Sequence, residues 1–229
     1  MTEKAPAKNP FRHATWRTYT PADGLAGLSL QQIAQDRDGY LWFSTFHSGV
    51  SRFDGEEFRT FTRNDGLAGN IVLTILCDSQ DRLWFGTIDG GACWYDGRTF
   101  HRIEGLDEIS GYINCISEDP DGRIWLIGHG TFCFLDGEKI RDLRSDLRRD
   151  CGFDPSQCWG MARDRKGCDW LGMRHLVRYD GDRFHALGPE DGFPPPFAIY
   201  AVGEGASGDV WIGDTNRILR YDGERFHTI

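Results

Sequence analysis

The chain has 229 residues, enough to bury a core of useful size in one large domain or two small ones. Its formal net charge is −9 and its acidic and basic residues are interleaved, so it has no basic stripe, and nucleic acid is excluded as an expected partner. No run approaches the roughly 18 apolar residues of a membrane span, and the opening residues lack the apolar segment of a signal peptide.

These features predict a cytoplasmic protein, with a periplasmic location as the alternative if a signal peptide precedes this sequence. The seven cysteines are an odd number, form no C-x-x-C pair and mostly lie in apolar strand-like runs. They favour a reducing compartment, and they predict neither a zinc ribbon nor a thioredoxin-type motif.

Residues 1–13 are predicted to be a disordered tail, and residues 14–229 a single domain built from repeats. The repeats lie near 24–65, 66–104, 105–151, 152–191 and 192–229. A Trp in an LWF-like run recurs in each repeat, and further on an Asp-Gly pair recurs after an apolar residue. The Trp residues are Trp42, Trp84, Trp125, Trp170 and Trp211, and the Asp residues are Asp54, Asp96, Asp136, Asp180 and Asp222.

This period, with no helical pattern, indicates an all-β fold: a β-propeller of four-stranded antiparallel blades. The Trp strand is apolar on both faces, which is typical of a strand covered on both sides by stacked blades. We expect each Trp to fill the wedge between neighbouring blades and its indole N–H to find a backbone acceptor. The Asp-Gly pair predicts a type I′ hairpin turn between the third and fourth strands.

The string GLAGN..LTILCDSQDRLWFGTIDGGACWYDGRTF of the second repeat resembles the two-component regulator propeller repeats, and the resemblance extends over about residues 14–229. It implies a sensor-type β-propeller, because such repeats usually form the sensor part of larger signalling proteins and often reside in the periplasm. The missing signal peptide departs from that pattern, as does the missing kinase or regulator segment.

The run ATWRTYTPADGL before the first repeat aligns with EFRTFTRNDGL and predicts one surplus outer strand over residues 14–20. Two interpretations stay open. Either the chain is the front part of a longer propeller whose final blade borrows this strand, or five blades close and the surplus strand lies elsewhere. Blades that stay open would expose a sheet face, and self-association is then expected.

Candidate ligand-binding residues lie in the loops around the mouth of the channel, because variable loops on a rigid scaffold carry function. The loops after the Trp strands hold polar residues where small ones are usual. Other mouth loops place aromatic rings beside polar groups, which suits a small-molecule, peptide or sugar-like ligand. The candidates are His47, Asp89, Tyr112, His129, Trp159, Arg174, His175, Phe197, Tyr200, Asp214 and Asn216.

The His and Asp side chains of these loops are chemically suitable ligands for a divalent metal. However, loops that follow the second strands stand too far from the propeller axis to coordinate one shared ion. No metal or other cofactor is therefore predicted. The Asp-x-Asp-Gly turns lack the later acidic positions of a calcium loop. The charged junction RDLRSDLRRDCGFD, residues 141–154, is interpreted as a solvated loop, with a helical insert or docking patch as alternatives.

No nucleophile elbow, phosphate loop or catalytic carboxylate pair stands out, so we predict that the protein is not an enzyme. The predicted function is recognition of a ligand or protein as the input part of a bacterial two-component-type signalling protein. A structural protein-docking scaffold is the first alternative. The second is a metal-dependent propeller lyase or hydrolase that uses His47, His129 and His175.

Overall fold

The computed structural model describes residues 16–106, 111–193 and 199–229, and within them the chain forms five four-stranded antiparallel sheets, each a meander of consecutive strands. Blade 1 comprises β1 Leu30–Gln35, β2 Leu41–Thr45, β3 Val50–Phe53 and β4 Phe58–Phe61. Blade 2 comprises β5 Val72–Cys77, β6 Leu83–Thr87, β7 Ala92–Tyr95 and β8 Phe100–Arg102. Blade 3 comprises β9 Cys115–Glu118, β10 Ile124–Gly128, β11 Thr131–Asp136 and β12 Lys139–Asp142. Blade 4 comprises β13 Met161–Arg163, β14 Asp169–Gly172, β15 Leu176–Tyr179 and β16 Phe184–Ala186. Blade 5 comprises β17 Ala201–Glu204, β18 Val210–Gly213, β19 Ile218–Tyr221 and β20 Phe226–Thr228. The predicted all-β propeller is confirmed.

The core lies between blades, and four of the repeat Trp residues fill it. Trp42 packs against Tyr95 of the next blade at a ring-centroid distance of 5.5 Å. Trp125 contacts Tyr179 at 5.6 Å, and Trp170 contacts Tyr221 at 4.7 Å, in the same arrangement. A blade has two apolar faces and cannot cover either by itself, so burial of these faces is what stacks one repeat on the next.

The indole N–H groups are held by carboxylates, so the expected backbone acceptor is wrong. Trp42 donates to Asp36 at 2.7 Å, and the Asp six residues before each of the next three Trp residues accepts in the same way. The other carboxylate oxygen of Asp36 accepts the backbone N–H of Tyr40, which closes the turn between β1 and β2. One side chain therefore fixes both the turn and the indole, and these carboxylates are Asp36, Asp78, Asp119 and Asp164.

The Asp-Gly elements do not form the predicted type I′ turns. Asp54 does not have the positive φ that such a turn requires at both central residues, and neither do its equivalents, whereas Gly55 has φ 105°. In blade 1 the pairing of Phe53 with Phe58 leaves a four-residue loop. Asp54 opens this loop and accepts the backbone N–H groups of Glu56 and Glu57 at 2.9 and 2.8 Å. The aspartate acts through its side chain, as in an Asx turn.

The charged junction is a helix, so its interpretation as a solvated loop is wrong. Helix α1 spans Arg144–Cys151 and ends at Gly152, which has φ 78°. Its Leu147 is fully buried among the apolar residues between blades 3 and 4. Asp150 accepts the backbone N–H of Phe184 at 3.0 Å and ties the helix to β16. The hydrophobic side chains that decide this packing are Leu143 and Leu147, both buried among eight charged residues of the junction, which is why the charge pattern suggested solvent.

The surplus segment packs like the end of a repeat, but residues 16–20 form no strand. The predicted surplus outer strand is therefore wrong over these residues. Residues 14–15 lie outside the described residues. Tyr19 contacts Phe53 and Phe58 at 5.1 and 5.3 Å, much as Phe61 contacts the rings of the following blade. Thr20 and Asp23 form a capping box around the 3₁₀ turn Pro21–Asp23, which the turn Arg63–Asp65 repeats. In each blade the outer strand pairs with the third strand of the same blade. Among the described residues no such third strand lies beside residues 16–20, so this segment has no strand to pair with.

Candidate ligand-binding site on the entry face

The candidate residues lie on the entry face, which we define as the side of the propeller where the chain enters the first strand of each blade. The loops that join second to third strands lie on the same side, because consecutive strands are antiparallel. Trp159 and Tyr200 hold equivalent positions just before β13 and β17. Their backbone N–H groups donate to Gly172 and Gly213, each at 2.8 Å, so successive blades present the two rings in the same register.

Two aromatic pairs run across the entry faces of blades 3 to 5. The Tyr112 ring stacks on His129 with centroids 5.7 Å apart and planes inclined by 17°. Trp159 lies 6.1 Å from Tyr200, and these side chains are 46% and 52% exposed. The structure thus forms two pairs from four residues that the sequence analysis proposed separately.

Asn114 links blades 3 and 4 close to both aromatic pairs. It lies two residues after Tyr112, and its hydrogen-bond partner Cys158 directly precedes Trp159. Its side-chain amide donates to the carbonyl of Cys158 at 2.6 Å and accepts the Cys158 backbone N–H at 3.3 Å. Because Cys158 is the residue before Trp159, these two hydrogen bonds hold the backbone that carries the indole. Asn114 occupies the same repeat position as Trp159 and Tyr200, and sequence reasoning missed it because its side chain is not aromatic.

The acidic candidates bind neighbouring backbone N–H groups and arginine side chains. Asp89 accepts the backbone N–H groups of Asn70 and Ile71 at 3.4 and 3.2 Å and lies 3.4 Å from the Arg63 guanidinium. Asp214 accepts the backbone N–H of Asn216 at 2.9 Å and the side chain and backbone N–H of the next residue, Arg217.

Burial raises the pKa of Asp214, but the hydrogen bonds from Arg217 and Asn216 outweigh burial and leave that pKa below its usual value. Asn216 and Arg174 are exposed. The carboxylates of Asp89 and Asp214 are therefore occupied by hydrogen bonds within the protein.

The three histidines lie apart, each on an aromatic ring of its own surroundings. His47 is exposed, has φ 134° and contacts Phe46 at 4.7 Å. His175 contacts Phe153 at 4.9 Å, and burial, helped by the Arg174 charge, lowers the pKa of its imidazole. In the part of the chain that the structure describes, no three His, Cys, Asp or Glu side chains are grouped so that they could hold a metal ion. Phe197 lies outside the described residues.

A cavity of about 400 Å³ lies on the face opposite the entry face, around the turns that join first to second strands. Arg163 crosses it and donates to Asp121 at 3.0 Å and to Asp169 at 2.8 Å. Burial raises the pKa of Asp169, although the hydrogen bond from Arg163 opposes this. The sequence analysis did not predict this cavity, because its lining comes from four different blades.

The fold defines the chain as a β-propeller protein with five four-stranded blades in the described residues. The family model described as "Two component regulator propeller" matches residues 24–47, 66–89 and 107–130, so the first three blades contain repeats of this family, as the resemblance predicted. No curated protein matches the chain.

Solved structures with the same fold include two extracellular domains from B. thetaiotaomicron that are described as parts of hybrid two component systems. The BT3049 domain has 20% sequence identity and a TM-score of 0.50, with 89% of this chain and 35% of that chain covered. The BT4673 domain has 18% identity and a TM-score of 0.61, with 88% of this chain and 30% of that chain covered. This chain therefore spans about a third of the length of either domain.

Virginiamycin B lyase from Staphylococcus aureus also has this fold, with 14% identity and a TM-score of 0.64. The comparison covers 90% of this chain and 71% of that chain. Identities this low establish a shared fold and carry no shared chemistry. Among the described residues no helix is long and apolar enough to cross a membrane.

Proposed function

We propose that the chain is a non-enzymatic recognition module that forms the sensor part of a bacterial two-component-type signalling protein. The regulator-propeller repeats in blades 1 to 3 support this role, as do the fold neighbours in hybrid two component systems. Those neighbouring domains are extracellular, which favours the periplasmic alternative over the cytoplasmic expectation. Signalling would follow when a bound ligand changes how this module contacts the rest of the signalling protein.

One observation carries the choice of site: two large rings, Trp159 and Tyr200, are half-exposed at equivalent positions of adjacent blades. In the other blades the equivalent positions hold smaller or non-aromatic residues, Gln31, Leu73 and Asn114. Exposed aromatic rings side by side lose little conformational entropy when they stack on a flat ligand face. A concave mouth with a few polar groups is the usual setting of a small-molecule site.

The chemistry of the pair favours a ligand that is apolar on one face and polar at its edge, such as a sugar ring. The indole and phenol would cover the C–H face of the ring, and the exposed His129, Arg174 and Asn216 supply hydrogen-bonding groups on the same side of the propeller. A peptide with a planar side chain meets the same requirements. The Tyr112–His129 stack extends the surface by one blade.

Binding can be measured by the change in tryptophan fluorescence during titration with a panel of neutral oligosaccharides and short peptides. We expect at least one compound to saturate the signal, and Trp159→Ala to weaken its binding by about tenfold or more, as loss of a central aromatic contact does. Trp16→Ala is the matched control, because Trp16 is an exposed indole in the segment before blade 1 and belongs to neither aromatic pair described above. Equal loss of affinity in both variants would exclude the entry face.

The two alternatives have less support. A docking scaffold that uses the charged insert requires free charge there, yet Arg149 pairs with Asp146 and Asp150 within the insert. A lyase or hydrolase that uses the histidines requires them to act on one substrate, yet each packs on a different aromatic ring. Activity assays with a His129→Ala variant, together with metal analysis of the purified protein, test the enzymatic alternative directly.

A further inference from the structure

Three of the four contacts between successive blades place a tyrosine ring on a repeat Trp. We call the side of a blade that carries its repeat Trp the Trp face, and the tyrosine belongs to the third strand of the next blade. It also packs on a phenylalanine of the fourth strand beside it, at centroid distances of 4.4 to 5.0 Å. A Tyr–Phe pair therefore fills these three junctions. The rings in contact are Trp42 with Tyr95, Trp125 with Tyr179 and Trp170 with Tyr221.

The junction between blades 2 and 3 departs from this pattern. Leu135 and Ile140 form the cross-strand pair at the two positions that hold Tyr and Phe in blades 2, 4 and 5. The hydroxyl of Tyr95 donates to the carbonyl of Gly97 at 2.9 Å, and the tyrosine of blade 4 makes the same bond at 2.7 Å. Leucine has neither a ring nor a hydroxyl, so blade 3 cannot make this bond to the equivalent residue, Gly137.

A cavity of about 630 Å³ lies at this junction, and we call it the junction cavity. Trp84, Leu135 and Gly137 all line it, so its wall includes the Trp, the substituted residue and the glycine that a tyrosine would reach. Its volume lies within the range of about 300–1,000 Å³ that is usual for small-molecule sites. The presence of Leu instead of Tyr thus leaves space between Trp84 and Gly137 where the other junctions hold a phenol ring.

The other walls of the junction cavity supply a flat apolar surface and charged groups. Trp94 is half-buried and stacks on His101, with centroids 4.2 Å apart and planes inclined by 17°. The other blades have Arg or Phe at the position of this indole. Arg82 lies over the rings of both cavity tryptophans, and the exposed Glu104 and Glu138 also line the cavity. Aromatic walls with a few polar groups favour an aromatic ligand that carries a polar substituent.

We propose that the junction cavity binds a small phenol with a polar substituent. The ring takes the place of the absent tyrosine ring beside Trp84, its hydroxyl donates to the carbonyl of Gly137, and the substituent lies near the charged groups of the wall. Arg82 directly precedes a second strand and Gly137 directly follows a third strand, so this site lies on the side of the propeller opposite the entry face. It is therefore a second ligand site, separate from the Trp159 and Tyr200 rings.

Isothermal titration calorimetry of the wild-type chain with three phenols tests this site. 4-Hydroxyphenylacetate, 4-hydroxyphenylacetamide and 4-hydroxyphenethylamine carry a negative, a neutral and a positive substituent on the same ring. We expect at least one of them to bind with one-to-one stoichiometry. The same compound without its ring hydroxyl should bind at least about threefold more weakly, because the hydrogen bond to Gly137 is lost.

Leu135→Tyr is the decisive variant, because it restores the residue type that the other junctions carry. We expect it to weaken binding of the phenol by at least about tenfold. Its midpoint of urea unfolding should equal or exceed that of the wild type, because the new ring fills space that already exists. Trp159→Ala is the matched control, because it changes the entry face and should leave binding of the phenol unchanged.

Five results would each overturn the proposal. Three concern the ligand: no binding of any of the three phenols, equal binding of the analogue without the hydroxyl, or undiminished binding by Leu135→Tyr. A lower unfolding midpoint of Leu135→Tyr would show that the junction has no room for a ring. Loss of binding in Trp159→Ala would place the phenol on the entry face instead.

Discussion

Replacing Trp125 by Ala should destabilise the protein far more than replacing Trp211 by Ala, although both are the same residue of the repeat. Trp125 is fully buried, contacts Phe134 and Tyr179 at 5.2 and 5.6 Å, and donates its indole N–H to Asp119 at 3.0 Å. Removal of such a side chain loses its transfer free energy and leaves a closed cavity. The expected cost is about 3–5 kcal/mol in the free energy of unfolding.

Trp211 lacks the complete burial and the indole hydrogen bond of Trp125. It is 37% exposed, and Gly205 stands where the other repeats have the carboxylate that accepts the indole N–H. A buried Trp covers about 150–250 Å², which at roughly 25 cal/mol per Å² gives an upper limit for the part still covered. Because water can fill the open side, no closed cavity adds to this loss, and we expect about 1–3 kcal/mol.

Urea unfolding followed by far-UV circular dichroism measures both values. Equal slopes of free energy against urea would show that the variants unfold from comparably compact states. Equal costs for Trp125→Ala and Trp211→Ala would refute the reasoning, because they would mean that the Trp face of blade 5 is covered within a single chain.

Three further predictions concern stability. Asp164→Ala should cost about 1–3 kcal/mol in urea unfolding, because it leaves the buried Trp170 N–H without an acceptor, and no loss would exclude the carboxylate–indole contact. Leu147→Ala should cost about 2–5 kcal/mol, whereas a solvated insert would lose less than about 0.5 kcal/mol. In Asp119 and Asp214, hydrogen bonds outweigh the opposing effect of burial and hold the carboxyl pKa low. At these two sites the native state therefore binds fewer protons than the unfolded state, so their contribution to the free energy of unfolding is present above the unfolded-state pKa of about 4 and is lost as the pH falls below it. Asp119→Asn should reduce that loss in unfolding series at successive pH values, and an unchanged pH dependence would contradict the assignment.

Much of the fold could be predicted because the same local pattern occurs five times. A single LWF run is ambiguous, but its recurrence with an Asp-Gly element excludes helices and defines the blade. The carboxylate–indole contact was also visible, as an Asp six residues before four of the Trp residues. The sequence analysis assigned this Asp to the turn alone. In the structure one oxygen of Asp36 accepts the backbone N–H of the turn and the other accepts the indole N–H, and only the folded geometry shows the second contact.

The candidate site was predicted in part. Trp159 and Tyr200 share a repeat position, so the sequence alone indicates that they lie at the same place on adjacent blades. The occupation of Asp89 by the backbone of Asn70 and Ile71 depends on how the connection between blades 1 and 2 folds back, which no local pattern encodes.

By itself the sequence determined the blade, its Trp-bearing second strand and its number of copies, because these follow from periodicity and composition over a few tens of residues. Only the tertiary structure decided which surfaces are covered. Trp42 and Trp211 occupy the same repeat position, yet one is buried and the other is open, because burial depends on the neighbouring blade that packs against a residue.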